Sequence, residues 1–184
     1  FSHIPMPFRE GGRLEANVSA IIERDNGEIL IGTSGHGIFL LNVKEGRMTA
    51  RQLPGFVPSY LINQLYEDRN GTLWVITNDK GIYSVDANQR VTHYPNGREM
   101  VWPSSICEDK TGNIYVGCLK NGLFKYNPQT NGFTRIQCPS HPELPVKTLY
   151  NMNQDEIYIG TDGNGMKVYN VQQGQIMAVS YTHL

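Results

Sequence analysis

Leu65-Tyr66-Glu67-Asp68-Arg69-Asn70-Gly71-Thr72-Leu73-Trp74-Val75-Ile76-Thr77, continuing to Asp86, is one copy of a pattern that the chain repeats. Three other stretches align with it without gaps: IIERDNGEILIGTSGHGIFLLN (21–42), ICEDKTGNIYVGCLKNGLFKYN (106–127) and LYNMNQDEIYIGTDGNGMKVYN (149–170). Gly27, Gly71 and Gly112 anchor the first three copies, and Asp155 stands in that place in the fourth. Ten residues after each anchor comes a second glycine, Gly37, Gly81, Gly122 or Gly165; five further on comes Asn42, Asp86, Asn127 or Asn170. Successive anchors lie 44, 41 and 43 residues apart. Periods of about 40 to 50 residues belong to propellers and several solenoids.

The runs after the anchors, Ile29-Leu30-Ile31, Leu73-Trp74-Val75, Ile114-Tyr115-Val116 and Ile157-Tyr158-Ile159, are short and rich in β-branched and aromatic residues. They read as buried strands. Before the anchors, apolar residues recur at Val18 and Ile21, Ile62 and Leu65, and Val146 and Leu149. Asn26-Gly27 and Asn70-Gly71 then predict tight hairpins, both residues tolerating positive φ. A third run opens at each second glycine, and a fourth follows at Met48–Ala50, Val91–Tyr94, Phe133–Ile136 and Ile176–Val179. Each copy is therefore expected to be a four-stranded antiparallel meander. Leucine-rich repeats are shorter, about 20 to 29 residues, and helical repeats would show spacings of three and four. Four short strands at this period are the signature of propeller blades.

The fold class expected is all-β: a β-propeller fragment of about four blades, at 18–53, 61–95, 103–138 and 146–180, in one partial domain over 1–184. Phe1-Ser2-His3-Ile4 aligns with the fourth-strand runs and reads as an orphan outer strand of a preceding blade. An open arc of a larger, seven-bladed type of ring follows as the expectation. Tyr181–Leu184 fits no blade pattern and reads as a non-native tail.

The chain has 184 residues, 39% hydrophobic and 18% charged, with a net charge of −1. That balance suits a β-rich globular fold and offers no sustained basic field for nucleic acid. No apolar run approaches the roughly 20 residues of a membrane-spanning helix. Three cysteines form no disulfide framework. Cys107 takes the place of Ile22 and Tyr66, and Cys118 that of Thr33, Thr77 and Thr161, so both read as core; Cys138 is left open.

The Glu-Asp, two residues, Gly, apolar-aromatic pair and Gly-Leu/Ile-aromatic order resembles the two-component regulator propeller repeat. Glu67–Thr77 with Gly81-Ile82-Tyr83 is the clearest copy, and Glu108–Gly117 is close to it. The first copy has Leu30 where Trp74 stands, and the fourth has Asn151, Met152 and Asp155 in place of Glu, Asp and Gly. The resemblance implies a ligand sensor: the periplasmic input region of a hybrid two-component system, dimeric, responding to oligosaccharide and signalling to a histidine kinase across a membrane. No kinase, receiver or membrane motif lies in this chain. Any phosphotransfer, and any membrane contact, belongs to the rest of the parent, and the fragment itself reads as non-enzymatic.

No metal-protease, zinc-ribbon, P-loop, nucleophile-elbow or dinucleotide signature is present, and no cofactor or metal is implied. The histidines are scattered; His3 and His93 share one outer-strand position and read as structural. Glu23, Glu67 and Glu108 recur beside the first turn, which favours bonding between blades over acid/base work. Trp74 occupies a repeat position and reads as core.

What remains after subtracting the repeat lies in two sets of loops, which a meander brings out on one side: the connection between second and third strands, and the connection between blades. These loops supply the candidate ligand-binding residues His36, Tyr60, Asn78, Asp79, Arg98, Trp102, Lys120, Asn121 and Asp162. Tyr60 and Trp102 offer faces on which a pyranose can stack, and the polar groups can exchange hydrogen bonds with sugar hydroxyls. Two alternatives stay open: a protein-interaction propeller in another regulator, for example one fused to a nucleotide cyclase, and a lyase-type propeller enzyme.

Overall fold

The computed structural model describes residues 17–44, 47–53, 61–153 and 155–179. The expected strand at 1–4 and the tail at 181–184 lie outside them. Every regular element among the described residues is a strand, and the sixteen strands form four separate four-stranded sheets. The first is β1 (Val18–Glu23), β2 (Ile29–Thr33), β3 (Ile38–Lys44) and β4 (Arg47–Gln52); the second is β5 (Ile62–Glu67), β6 (Leu73–Thr77), β7 (Gly81–Val85) and β8 (Val91–Tyr94). The third is β9 (Val101–Glu108), β10 (Ile114–Lys120), β11 (Gly122–Asn127) and β12 (Gly132–Ile136). The fourth is β13 (Val146–Asn153), β14 (Glu156–Thr161), β15 (Met166–Asn170) and β16 (Gln175–Ala178). In each sheet the strands lie in chain order, so each sequence copy is one meander, as the repeat predicts.

The first turns of the first two meanders are longer than the tight hairpins expected at Asn26-Gly27 and Asn70-Gly71, and the third follows them. Gly27, Gly71 and Gly112 have φ near +78°, +73° and +88°, while the residues before them do not enter the left-handed region. In the second sheet Gly71 N donates to Asp68 O at 2.8 Å and Asp68 N to Thr72 O at 3.0 Å. This is the longer hairpin in which a turn ends on a left-handed glycine. The Asp68 carboxylate selects it by accepting from the N–H groups of Asn70 and Thr72, a local geometry that a two-residue turn could not supply.

The chain divides into two compact units, Phe1–Thr92 and His93–Leu184. In the first, Leu30, Ile38 and Leu40 of one sheet meet Ile62, Leu65, Leu73 and Val75 of the next. Gly32 makes the close approach possible, since a Cβ there would stand 2.6 Å from Ile62 Cγ2. Ser19, at a bulge in β1, donates to Ile62 O at 2.6 Å and lies 3.3 Å from Gly32 O in its own sheet. Arg24 reaches Glu67 through Nε at 2.9 Å and Nη2 at 2.6 Å, while Asp25 N donates to the other carboxylate oxygen at 3.0 Å. The repeated glutamate therefore joins sheets at Glu67, as expected.

The second unit repeats this seam. Cys107, Tyr115 and Leu123 pack against Val146, Leu149, Ile157 and Ile159. Gly117 stands where Gly32 does, with Val146 filling the space. Ser104 donates to Val146 O at 2.6 Å and lies 3.0 Å from Gly117 O. Across the exposed rim Lys110 pairs with Asp155 at 2.6 Å, which holds that carboxyl below its usual range.

A buried aspartate supports the aromatic side chain of the second strand. Asp68 accepts from Trp74 Nε1 at 2.8 Å, and Asp109 from the Tyr115 hydroxyl at 3.1 Å. Burial pushes the Asp109 carboxyl up, but hydrogen bonds from Asn113 and Thr111 outweigh it and hold the group below its ordinary value. Trp74 is core, as its repeat position predicts. Burial, reinforced by Asp109, pushes the Cys107 thiol up to about 12, and burial does the same for Cys118. Both are core residues, and Cys138 proves buried as well.

Candidate ligand-binding face

In three sheets the turn between second and third strands is built by a threonine. Thr33, Thr77 and Thr161 each donate through Oγ1 to the carbonyl of the second glycine, and each Oγ1 accepts from the N–H of His36, Lys80 or Asn164. The next residue returns to the residue before the first strand: Ser34 N donates to Asn17 O, Asn78 N to Leu61 O and Asp162 N to Pro145 O, at 2.9 to 3.0 Å. Turn and incoming connection thus share one end of each sheet, as the meander requires.

In the first unit Ser34 is bridged to Leu61, and Leu61 O accepts from Asn78 N, so the turns carrying His36 and Asn78 adjoin one another. His36 is half-buried, whereas Asn78 and Asp79 are exposed, the latter 3.7 Å from Lys80 Nζ. Tyr60 lies outside the described residues.

The third sheet breaks the pattern. Cys118 replaces the threonine, so no side-chain hydroxyl is there to close a turn. β9 and β10 consequently run on, with Cys118 opposite Pro103 and Lys120 opposite Val101. The chain reverses through Asn121 and Gly122, at φ +73° and +88°. Trp102 is carried in this extension at φ +53°, where L side chains are disfavoured, and 54% of it is exposed. Asn121 Nδ2 donates to Arg98 O at 3.2 Å and Glu99 O at 2.8 Å, tying the incoming connection to the turn. The structure therefore brings Arg98, Trp102, Lys120 and Asn121 together, and assigns the Asn121 amide nitrogen to holding the loop. Leu119, which sequence reasoning missed, adds an apolar side chain 39% exposed beside them. Asp162 occupies the corresponding turn of the fourth sheet, exposed, and Leu144 of the incoming connection lies against Gly122.

Residues 57–79 match the family described as two component regulator propeller. No curated protein matches the chain. Among solved structures, the chain is similar to the extracellular domain of the hybrid two-component system BT4673 from B. thetaiotaomicron, at 25% identity and a TM-score of 0.75, over 96% of this chain and 24% of that one. The corresponding domain of BT3049 from the same organism gives 15% identity and a TM-score of 0.69, over 90% and 25%. Virginiamycin B lyase from Staphylococcus aureus gives 16% and 0.69, over 89% and 55%. The last two speak for fold alone. The chain spans about a quarter of the extracellular domains it resembles, and its four sheets are blades of the β-propeller type.

Proposed function

We propose that this chain is part of the extracytoplasmic, periplasmic sensor region of a hybrid two-component system, and that it takes part in recognising oligosaccharide. The observation that carries the reading is Trp102: an indole more than half exposed, held in a strained backbone conformation, at the one described turn where the threonine pattern is broken. Strain of this kind costs about 1–3 kcal/mol and persists only where its surroundings enforce it, commonly at ligand sites. The indole face is a platform for the C–H face of a pyranose. Lys120 and Arg98 are in place to exchange hydrogen bonds with its hydroxyls.

The chain itself is non-catalytic in this reading. Further blades of the parent complete the propeller, the parent is a homodimer, and its kinase lies beyond this chain. A ligand changes signalling only as far as it binds one arrangement of the receptor more tightly than another. The test is calorimetric titration of the full-length protein with a panel of neutral and acidic oligosaccharides, repeated with Trp102→Ala. Binding of at least one member, weakened about tenfold or more by the substitution, supports the reading. Absence of heat with every member, or equal affinity in the variant, overturns it.

A further inference from the structure

The first and fourth sheets each carry one unused half of the seam described in both units. In that seam the first strand of the following sheet lies against the first two strands of the sheet before it: β5 on β1 and β2, and β13 on β9 and β10. A β-branched side chain of the entering strand fills the space at a glycine, Ile62 at Gly32 and Val146 at Gly117. Three residues further on, Leu65 and Leu149 enter the same two cores.

The fourth sheet has the receiving half, uncovered. Gly160 stands in the place of Gly32 and Gly117, yet the atoms nearest to a Cβ there all belong to Thr148 of its own sheet. Tyr158 takes the place of Leu30 and Tyr115, and Met166 that of Ile38 and Leu123; those four are buried, whereas Tyr158 and Met166 are only half-buried. On β13, Tyr150 and Met152 are each 65% exposed. Tyr150 holds the position of Cys107, which is buried in the core shared with the fourth sheet.

The first sheet has the entering half, and its first strand is open. Val18 holds the position of Ile62 and Val146, and Ile21 that of Leu65 and Leu149. Those four are buried, but Val18 is 49% and Ile21 64% exposed. Ile31 and Phe39, which line up with Ile21 across the sheet, are already buried, so the open part of this face is β1, the strand that each seam uses. Large apolar side chains gathered on an exposed face mark an interaction surface. A chain that exposes both the entering strand and the receiving face of one seam is complementary to itself, and the contact so formed is heterologous.

We infer that this chain associates head to tail with a second copy. β1 of one molecule lies across β13 and β14 of the other, with Val18 at Gly160 and Ile21 against Tyr150 and Tyr158. The blades proposed to adjoin this chain in its parent use the same two faces, so the association belongs to the 184-residue chain by itself.

Sedimentation velocity of that chain from about 1 μM to about 0.5 mM should show a mass that rises with concentration beyond that of one copy. Ile21→Lys disables the entering strand alone, and Tyr150→Lys with Met152→Lys the receiving face alone. Each variant should associate at least about tenfold more weakly. Circular dichroism and melting of dilute samples should match the unaltered chain, since all three side chains are exposed in the single copy. Mixed, the two variants should recover a one-to-one dimer and go no further, because one intact strand and one intact face remain between them. Disulfide capture reads the same geometry without adding charge: Val18→Cys mixed with Gly160→Cys should cross-link, as Val146 Cβ stands 3.0 Å from the Cβ position at Gly117, and Val18→Cys mixed with Gln173→Cys should not. Trp102→Ala should associate as the unaltered chain does, which separates this test from that of the oligosaccharide reading. A single copy throughout the concentration range, full association of either lysine variant alone, or a mixture no better than its components would each overturn the inference.

Discussion

Gly117→Ala tests how the sheets of the second unit are held against each other. A Cβ at this position would overlap Val146 Cγ1, lie 3.0 Å from Val146 Cβ and 3.4 Å from Leu149 Cγ. Neither side can withdraw easily. β10 is central in its sheet, with Gly117 opposite Ser105 on one side and Leu123 on the other. β13 is tied to the same sheet by Ser104 Oγ on Val146 O at 2.6 Å and by Leu149 N on Ser105 Oγ at 3.1 Å. Val146 is fully buried. Overpacking of a rigid core costs about 1–3 kcal/mol, and this case belongs near the upper end. Since Gly117 is not in the left-handed region, replacing glycine returns about 0.4–1 kcal/mol through the unfolded chain. The net expectation is a loss of about 2 kcal/mol.

Val146→Ala alone should cost about 2 kcal/mol, from the lost burial of its methyl groups plus a cavity. In the double variant the methyl introduced at position 117 enters the space Val146 vacates, so the combined loss should fall short of the sum of the two by about 1–2 kcal/mol. Native-state hydrogen exchange of the β10 and β13 amides, read with urea melts, measures the cycle locally. Gly160→Ala is the internal control: it holds the same repeat position, but its Cβ meets Thr148 Cγ2 at 2.5 Å, on an exposed side chain of its own sheet that can turn away. Its cost should stay below about 1 kcal/mol. Additivity within about 0.5 kcal/mol, or a Gly117→Ala variant as stable as its parent, would refute the proposed packing.

Three further outcomes follow from the same geometry. Trp102→Gly should be more stable than Trp102→Ala by about 1 kcal/mol in thermal melts, because glycine relieves the positive φ that alanine would still suffer. Glu67→Gln should cost about 1–2 kcal/mol in urea unfolding, since Arg24 and the Asp25 N–H lose an ionised acceptor in a half-buried seam. Asp109 has a folded-state pKa below the ordinary aspartate value of 3.8. Its contribution to stability is therefore complete above that value and is lost as pH falls through the lower, folded one. Asp109→Asn should remove that part of the acid limb, and a limb left unchanged below the ordinary aspartate value of 3.8 would contradict the assignment.

The meanders, their strand order and the two glycine positions are legible in the sequence because each is a backbone requirement that every copy must meet. Asn26-Gly27 and Asn70-Gly71 mislead as to turn length, because the deciding group is the aspartate carboxylate or the backbone two residues upstream and not the dipeptide. At the candidate face, subtracting the repeat isolates the loops that carry Arg98, Trp102, Lys120 and Asn121, which share one end of the third sheet. The use of Asn121 as a tie to Arg98 O and Glu99 O is not legible, since a side chain bonding to a backbone 22 residues away leaves no local signal.

Differences between the copies separate two kinds of departure from the pattern. At the position three residues before the anchor, Asp68 and Asp109 accept from Trp74 and Tyr115, but the first copy has Arg24 with Leu30, a pair with no need of that bond. The fourth has Met152 with Tyr158, whose hydroxyl turns to Glu156 at 3.3 Å. These changes compensate one another within a copy, as a fold under only structural constraint requires. The third sheet behaves differently at its turn end. Losing the threonine there does not restore an equivalent turn; it lengthens the β9–β10 ladder, forces Trp102 to φ +53° and leaves its indole in solvent. Burial of that side chain does not offset the strain, so a purely structural account leaves a cost without a gain. A ligand covering the indole would supply the gain, and that is the physical reason to propose recognition here rather than at the three turns that keep their threonine.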